Sequence, residues 1–395
     1  MARPPDTPAP SGSFPATATS APPIRRPKQE QERASDVVTE VAPGVLRCQL
    51  PIEMPGLGHV NCYVLEDERG VAVVDPGLPG RATLKALTAR LASAGIPLKR
   101  VHTVIVTHSH PDHFGGAGWV RQETGAEVVT HRLFHLFWNR DEPPELDVEE
   151  TAVLDAPAAH DGHDSLRDAE TPQRDQRRRG TPWGPPPWGG PMPTMPWRRR
   201  LWFAGSRYFP RLAKTPQPTR RLADADVIHL AGREWVAVHT PGHTDDHLCL
   251  FDPAEGVMLS GDHVLPTITP HIGGFVRNVD PLQRFFDSLA KVAEFGPLVT
   301  TVLPAHGHPF ADLAGRAGQI RDHHGERLDV VRAASEDVGR PMSVQQMSGH
   351  LFSPRAQGAM ADSETFAHLE HLRLAGEYDR LDTADGFRYL PAERS

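Results

Sequence analysis

The sequence predicts an α+β protein in which two β-sheets carry helices on their outer faces, with a further helical unit at the C-terminus. Three observations predict this. Short β-rich runs bounded by Gly, Pro and Asp fall into two blocks, one from Asp36 to Thr130 and one from Asp226 to Pro304. Stretches with apolar residues at helical spacing lie between and after them. Several of the apolar runs lead directly into polar motifs rich in His and Asp, as strands feeding a site do.

Taken in order, residues 1–35 are rich in Pro, Ala, Ser and Thr, lack hydrophobic periodicity, and read as a disordered tail. The 36–310 segment reads as one domain. It opens with the strand candidates DVVTEVAPGVLRCQL, HVNCYVLE and GVAVVD; between the first two, Met54–Asn61 is either a hairpin connection or a loop at the mouth of a site. Pro79–Gly95 has Leu84, Leu87 and Leu91 at helical spacing, and VHTVIVTH reads as a buried strand. A helix over Gly116–Thr124 and a strand over Ala126–Thr130 follow. Regularity then fails, and residues 155–221 read as an insertion. From Thr171 to Arg221 it holds twelve Lys or Arg against the single acid Asp175, together with Trp183, Trp188, Trp197 and Trp202. It is either a solvated loop or a lid whose arginines recruit anionic substrates. Strands resume at DVIHLA, EWVAVHT, HLCLFD and VMLSGD; Pro281–Glu294 is helical, and LVTTVLP is a last buried strand. Residues 311–395 then read as a helical, winged-helix-like unit: a helix over Ala311–Ala334, two more in PMSVQQMSGHLF and SETFAHLEHLRLAGE, and a hairpin, YDRLDTADGFRYL, turning at Asp385 and Gly386.

Composition narrows the function. The 395 residues carry 42 Lys and Arg against 50 Asp and Glu, which argues against a chain built to coat nucleic acid. The segment from Pro341 onward has five Arg against eight acids, the wrong balance for gripping phosphates. Three cysteines, Cys48, Cys62 and Cys249, are odd in number and widely spaced, excluding a disulfide framework and a thiolate zinc knot. No stretch reaches the 18–20 apolar residues of a membrane span and none resembles a signal peptide, so a soluble, cytoplasmic protein is expected, with no membrane partner. The sequence sets no oligomeric state.

The chemistry is concentrated in strand-end motifs. His108, His110, Asp112 and His113 fall within six residues after an apolar run, so one loop can offer ligands to two metal positions. HTPGHTDDH supplies His243, LSGDH supplies Asp262 and LPAHGHP supplies His306. Imidazole and carboxylate without thiolate suit zinc, and ligands borne on several strand ends converge in α/β enzymes.

These motifs, with VDPG at Val74–Gly77, resemble the metallo-β-lactamase fold superfamily over Val41–Pro309, the insertion excepted. The resemblance implies a four-layer αββα sandwich with a dinuclear metal site along one edge. It implies that His108, His110 and His243 bind one metal, that Asp112, His113 and His306 bind the second, and that Asp262 bridges them. Asp75 would orient the HSHPDH loop without being a ligand. An aspartate at 262 in place of cysteine is similar to the hydroxyacylglutathione hydrolase and ribonuclease branches, and a histidine at 110 favours zinc hydrolysis; iron and manganese stay open. HTDDH and the C-terminal unit resemble a lactamase-like subgroup that includes an endoribonuclease.

Two zinc ions would lower the pKa of a shared water toward about 7, and Asp112 would pass a proton to the leaving group. The expected activity is therefore hydrolysis of a small ester, thioester or lactone, an anionic one if the insertion is a lid. A metal-dependent endoribonuclease on single strands is the alternative enzyme, and a binding protein with a vestigial metal site the alternative of another class. His271 and His308 are candidate substrate contacts; for His308 a surface role weighs more.

Overall fold

The computed structural model of the protein describes residues 28–54, 56–136, 186, 188, 189, 216–274 and 280–393. Its first sheet holds seven strands in sequence order: β1 (Thr39–Ala42), β2 (Val45–Met54), β3 (Leu57–Asp67), β4 (Gly70–Val74), β5 (Val101–Ile105), β6 (Glu127–His131) and β7 (Arg220–Leu222). β1 to β4 form an antiparallel meander, while β4 to β7 pair in parallel. Parallel neighbours need a crossover, and helices supply it: α1 (Arg81–Ser93) joins β4 to β5, and the single turn α2 (Pro111–Phe114) followed by α3 (Ala117–Thr124) leads from β5 to β6. The second sheet runs β12 (Thr301–Pro304), β11 (Val257–Gly261), β10 (Leu248–Asp252), β9 (Arg233–His239), β8 (Val227–Leu230), with α4 (Pro281–Ala293) crossing between the parallel pair β11 and β12.

Burial on both faces explains why the strands read as nearly continuous apolar runs. In β4, Ala72 and Val74 face the second sheet, whereas Val71 and Val73 pack with Leu87 and Leu91 of α1. In β10, Leu248 and Leu250 enter the same inter-sheet core, and Cys249 and Phe251 meet Phe285, Leu289 and Val292 of α4. Helix, sheet, sheet and helix thus stack in four layers. Cys48, Cys62 and Cys249 are all free and buried.

The C-terminal residues form α5 (Leu313–Val338), β13 (Met342–Ser343), α6 (Val344–Leu351), α7 (Ala359–Leu374), β14 (Tyr378–Thr383) and β15 (Gly386–Pro391), the three strands in the order β13-β15-β14. Asp312 caps α5 by accepting from Gly315 N, and Ser343 with Gln346 forms a capping box at α6. Among the described residues this unit has no core cluster of its own. Ile320 and Val331 of α5 and Leu369 and Leu372 of α7 belong to the cluster built on Phe285 of α4. Inside it, Glu364 of α7 accepts from Arg327 Nη1 of α5 at 2.5 Å.

Several sequence expectations are corrected. Residues 28–35 are not tail: Glu30 is fully buried and accepts from Thr267 N at 2.8 Å, because a carboxylate paired to backbone and hydroxyl donors can be desolvated. The end of the 155–221 insertion is β7, whose edge pairing with β6 no propensity announces. Trp188, also assigned to the insertion, is buried against Phe366, ring centroids 4.7 Å apart. The C-terminal hairpin turns through Ala384 and Asp385, with Gly386 (φ 119°) opening β15, since Trp188's carbonyl lies where a Cβ at 386 would stand. Met54 pairs with Leu57, so that segment is a hairpin connection. Residues 1–27, 137–185, 187 and 190–215, including Trp183, Trp197 and Trp202, lie outside the described residues. No helix among the described residues is long and apolar enough to cross a membrane.

Two stability outcomes follow. Phe285→Ala removes a ring shared by sandwich and C-terminal unit and should cost about 3–5 kcal/mol in urea unfolding. Burial pushes the Glu364 carboxyl up, but the His271 hydrogen bond and the Arg327 charge overcome this and hold it at about 2, below its ordinary 4.5. A depressed carboxylate pKa stabilises the fold above the unfolded value, by on the order of 3 kcal/mol here, and the gain is lost as pH falls through the folded value. The stability gap between wild type and Glu364→Gln, measured on metal-free protein, should therefore be widest above pH 5 and narrow toward pH 2.

Candidate metal centre

All the motif residues leave strand ends at one edge of the sandwich. His108 and His110 sit in bends beyond β5, which ends at Ile105, and both rings enter the same ligand set. Pro111 then starts α2 at a position where its missing N–H costs nothing, and Asp112 and His113 ride on that turn. His243 follows β9, Asp262 comes directly after β11 and His306 just after β12. The His243 loop lies flat on α4: at Gly242 (φ 133°) a Cβ would stand 2.5 Å from Phe285 Cα, which excludes any side chain there.

Hydrogen bonds around the edge determine which nitrogen of each ring points inward. His113 Nδ1 donates to Asp75 Oδ2 at 2.9 Å, His243 Nδ1 to the His271 carbonyl at 2.7 Å, and His306 Nδ1 to the His59 carbonyl at 2.7 Å. Thr107 Oγ1 donates to Asp75 Oδ2 at 2.8 Å and so accepts from His108 Nδ1 at 3.0 Å. Each of these rings therefore turns Nε2 inward. Asp75 also accepts from Thr107 N at 2.9 Å, and it sits at φ 55°, a conformation that aspartate tolerates better than most residues. These bonds hold the HSHPDH loop.

The inward atoms form two groups. His110 Nδ1 lies 3.0 Å from both His108 Nε2 and His243 Nε2, and Asp262 completes that set. One ring proton could satisfy only one of those contacts. Asp112, His113 and His306 form the second set, Asp112 Oδ2 standing 3.6 Å from His113 Nε2 and 3.5 Å from His306 Nε2. Asp262 reaches both sets: Oδ2 is 3.6 Å from His243 Nε2 and 3.5 Å from His113 Nε2, and Oδ1 is 3.3 Å from His306 Nε2. His113 Nε2, His306 Nε2 and Asp262 Oδ1 are buried without a hydrogen-bond partner. Buried polar atoms are seldom left so, and this donor set fits a pair of borderline divalent cations.

Electrostatics separate the two sets: burial lowers His113 and His306, but the facing carboxylates of Asp262 and Asp112 outweigh it and hold both imidazoles above their ordinary pKa, so a bound cation would displace a proton there. Burial, then the neighbouring His113, His110 and His243, hold the His108 imidazole well below its ordinary pKa; burial and His243 do the same to His110. These rings are neutral and able to coordinate. Burial pushes the Asp262 carboxyl up, but the facing His306 and His113 prevail and hold it well below the usual carboxylate range.

The geometry adds residues that the motifs did not single out. His247 Nε2 accepts from Asp262 N at 3.0 Å while Nδ1 meets Thr240 Oγ1 at 2.7 Å, so a neutral His247 positions the shared aspartate. Asn61 Nδ2 donates to the carbonyls of Pro304 and Gly307, at 2.8 and 2.9 Å, and clamps the His306 loop. Ser109 Oγ donates at 3.0 Å to Asp246, whose carboxyl burial pushes up to about 6. The HTDDH run contained the signal for His247 and Asp246; Asn61 gave none. Of the two candidate substrate contacts, the His308 ring meets Arg47 Nη1 at 3.3 Å and Glu32 Oε2 at 2.9 Å. His271 is part-buried, its carbonyl on His243 and its Nδ1 3.1 Å from Glu364 Oε2.

Because Asp75 fixes His113 directly and His108 through Thr107, Asp75→Ala should weaken metal binding about 10–100-fold in competition titrations, and Thr107→Val should weaken it less.

The sequence model of the metallo-beta-lactamase superfamily matches residues 55–308. A probable metallo-hydrolase of Bacillus subtilis (strain 168) is 24% identical over 327 residues, 80% of this chain and 88% of that protein. An atrochrysone carboxyl ACP thioesterase of Aspergillus novofumigatus is 30% identical over 186 residues, 47% of this chain and about half (49%) of its own length. The crystal structure of a metallo-beta-lactamase family protein from Thermus thermophilus superposes with a TM-score of 0.63 at 29% identity, covering 89% of this chain and all (100%) of that one. With that coverage, and with His and Asp clusters gathered at one sandwich edge, the chain belongs to the metallo-beta-lactamase superfamily and is a hydrolase of that fold.

Proposed function

We propose that this protein is a two-metal, zinc-dependent hydrolase of small esters, with thioesters the preferred class. The observation that carries the reading is the pair of inward-facing ligand sets sharing Asp262, whose oxygens lie 3.3–3.6 Å from His306, His113 and His243. His108, His110 and His243 would hold one cation, Asp112, His113 and His306 the other, and Asp262 both. A bound pair supplies water ionised near neutral pH and a Lewis acid for the acyl oxygen.

The chain's own residues supply the rest. His247 and Asp75 keep the ligands in register, so little reorganisation accompanies the reaction. Asp112 would accept the proton that the attacking water gives up and return it to the departing oxygen or sulfur. The preference for thioesters rests on the Aspergillus thioesterase, whose similarity spans about half of each chain. RNA finds less support. Four arginines of the C-terminal unit are spent on internal acids: Arg373 and Arg380 on Glu370, Arg332 on Glu377 and Arg327 on Glu364.

Purified protein should carry two equivalents of zinc by elemental analysis and turn over members of a panel of thioesters, esters and lactones. His108→Ala should lower kcat/KM at least about a thousandfold, the several kcal/mol that a metal contributes to the transition state. Full metal loading without turnover on any member of the panel would refute the hydrolase specificity. Cleavage of labelled single-stranded RNA, lost in His108→Ala, would replace it with the nuclease reading.

A further inference from the structure

One ligand histidine is held from outside the sandwich. His243 Nδ1 donates to the carbonyl of His271 at 2.7 Å, so whatever sets the position of residue 271 sets the aim of His243 Nε2. Residue 271 lies in a loop that follows the Asp262 strand, and its partners are in the C-terminal unit. Its Nδ1 is 3.1 Å from Glu364 Oε2 on α7. Three residues on, Gly274 N donates to Ser363 Oγ at 3.0 Å and to the Ser363 carbonyl at 3.2 Å, and the Phe366 ring covers Gly274 so closely that a Cβ would stand 2.2 Å from it. Asp280, at the far end of the same segment, meets His371 Nδ1 of α7 at 3.0 Å.

Glu364 is itself fixed. Arg327 of α5 donates to its Oε1 at 2.5 Å, and Arg327 in turn meets His323 Nε2 at 3.0 Å and lies over the Phe352 ring at 4.5 Å. Glu364 also belongs to a compact group with His324 and His368 that could be read as another metal site. Its chemistry points elsewhere. Both carboxylate oxygens already face cationic or donor groups, Arg327 and His271. The His368 Nδ1 proton goes to the Glu364 carbonyl at 2.7 Å, which leaves its Nε2 to accept from His324 Nδ1 at 3.2 Å. The group is a hydrogen-bonded brace between α5 and α7.

From this chain of contacts we infer that Glu364 is a positioning residue for the metal centre: through His271 it aims His243, so the C-terminal unit completes the ligand shell of the sandwich. The inference rests on the two-metal reading of the site. It assigns Glu364 no contact with substrate.

Cobalt substitution tests it without relying on turnover. A chelator strips Co(II) from the loaded full-length protein, and the visible ligand-field spectrum reports the geometry at His243. Glu364→Ala and His271→Ala should each speed stripping by about tenfold or more and shift the spectrum, the scale of losing a group that orients a ligand histidine. The double variant should be no worse than either single, since both cut the same link. Glu370→Ala is the matched control: it too is a buried α7 carboxylate paired to arginines, Arg373 and Arg380, but it has no tie to residue 271. It should change stripping less than about threefold. Glu364→Ala stripping no faster than Glu370→Ala, or additive effects of Glu364→Ala and His271→Ala, would overturn the inference. If Glu364→Ala does not fold, His271→Ala against Glu370→Ala decides in the same way. A wild type that takes up no cobalt would instead defeat the two-metal reading itself.

Discussion

Five imidazoles and two carboxylates turned toward one another in a buried edge define this molecule. A single His110 proton serves only one of its two 3.0 Å contacts, and burial removes the water that would relieve the other. The fold resists that crowding by fixing the outer nitrogen of four of the five rings: His113 on Asp75, His108 on Thr107, His243 on the His271 carbonyl and His306 on the His59 carbonyl. Preorganisation of this kind suits a site that receives positive charge, which is what the proposed two-metal reading requires.

The sandwich is the means of bringing those residues to one place. β4, β5, β9, β11 and β12 all end at the same edge, and their two-sided burial leaves them little freedom to slide. Short loops then need only one or two further constraints. Gly242 supplies one by letting the His243 loop lie against α4, and Asn61 supplies another by gripping the carbonyls on either side of His306. Glu30, buried beside Thr267, brings the N-terminal segment into the same arrangement.

The C-terminal unit extends this logic. It shares the Phe285 core with the sandwich, and α7 is tied to both ends of the segment that follows Asp262. A unit with four of its arginines paired internally and one face fused to the outer layer of a sandwich is better suited to bracing loops than to gripping a polyanion.

Much of this could be read in the residues themselves. Apolar runs of β-branched residues identified the buried strands, and HSHPDH, PGH, GDH and AHG named the ligand candidates, because metal ligands require particular side chains at spacings a strand-end loop can present. The weaker elements escaped for local reasons. β7 is three residues of Arg and Leu that become a strand only by pairing with β6, and residues 28–35 are mostly polar and are ordered by tertiary partners that range from Gln49 and His59 to Thr267. The sequence by itself determined the layered architecture and the chemical identity of the ligands, since hydrophobic period and ligand type are properties of short stretches of chain. Only the tertiary structure decided how those ligands are aimed. The carbonyls of residues 59 and 271, the Asp262–His247 bond and the Glu364 link join residues distant in sequence, and backbone acceptors carry no side-chain signature from which such contacts could be read.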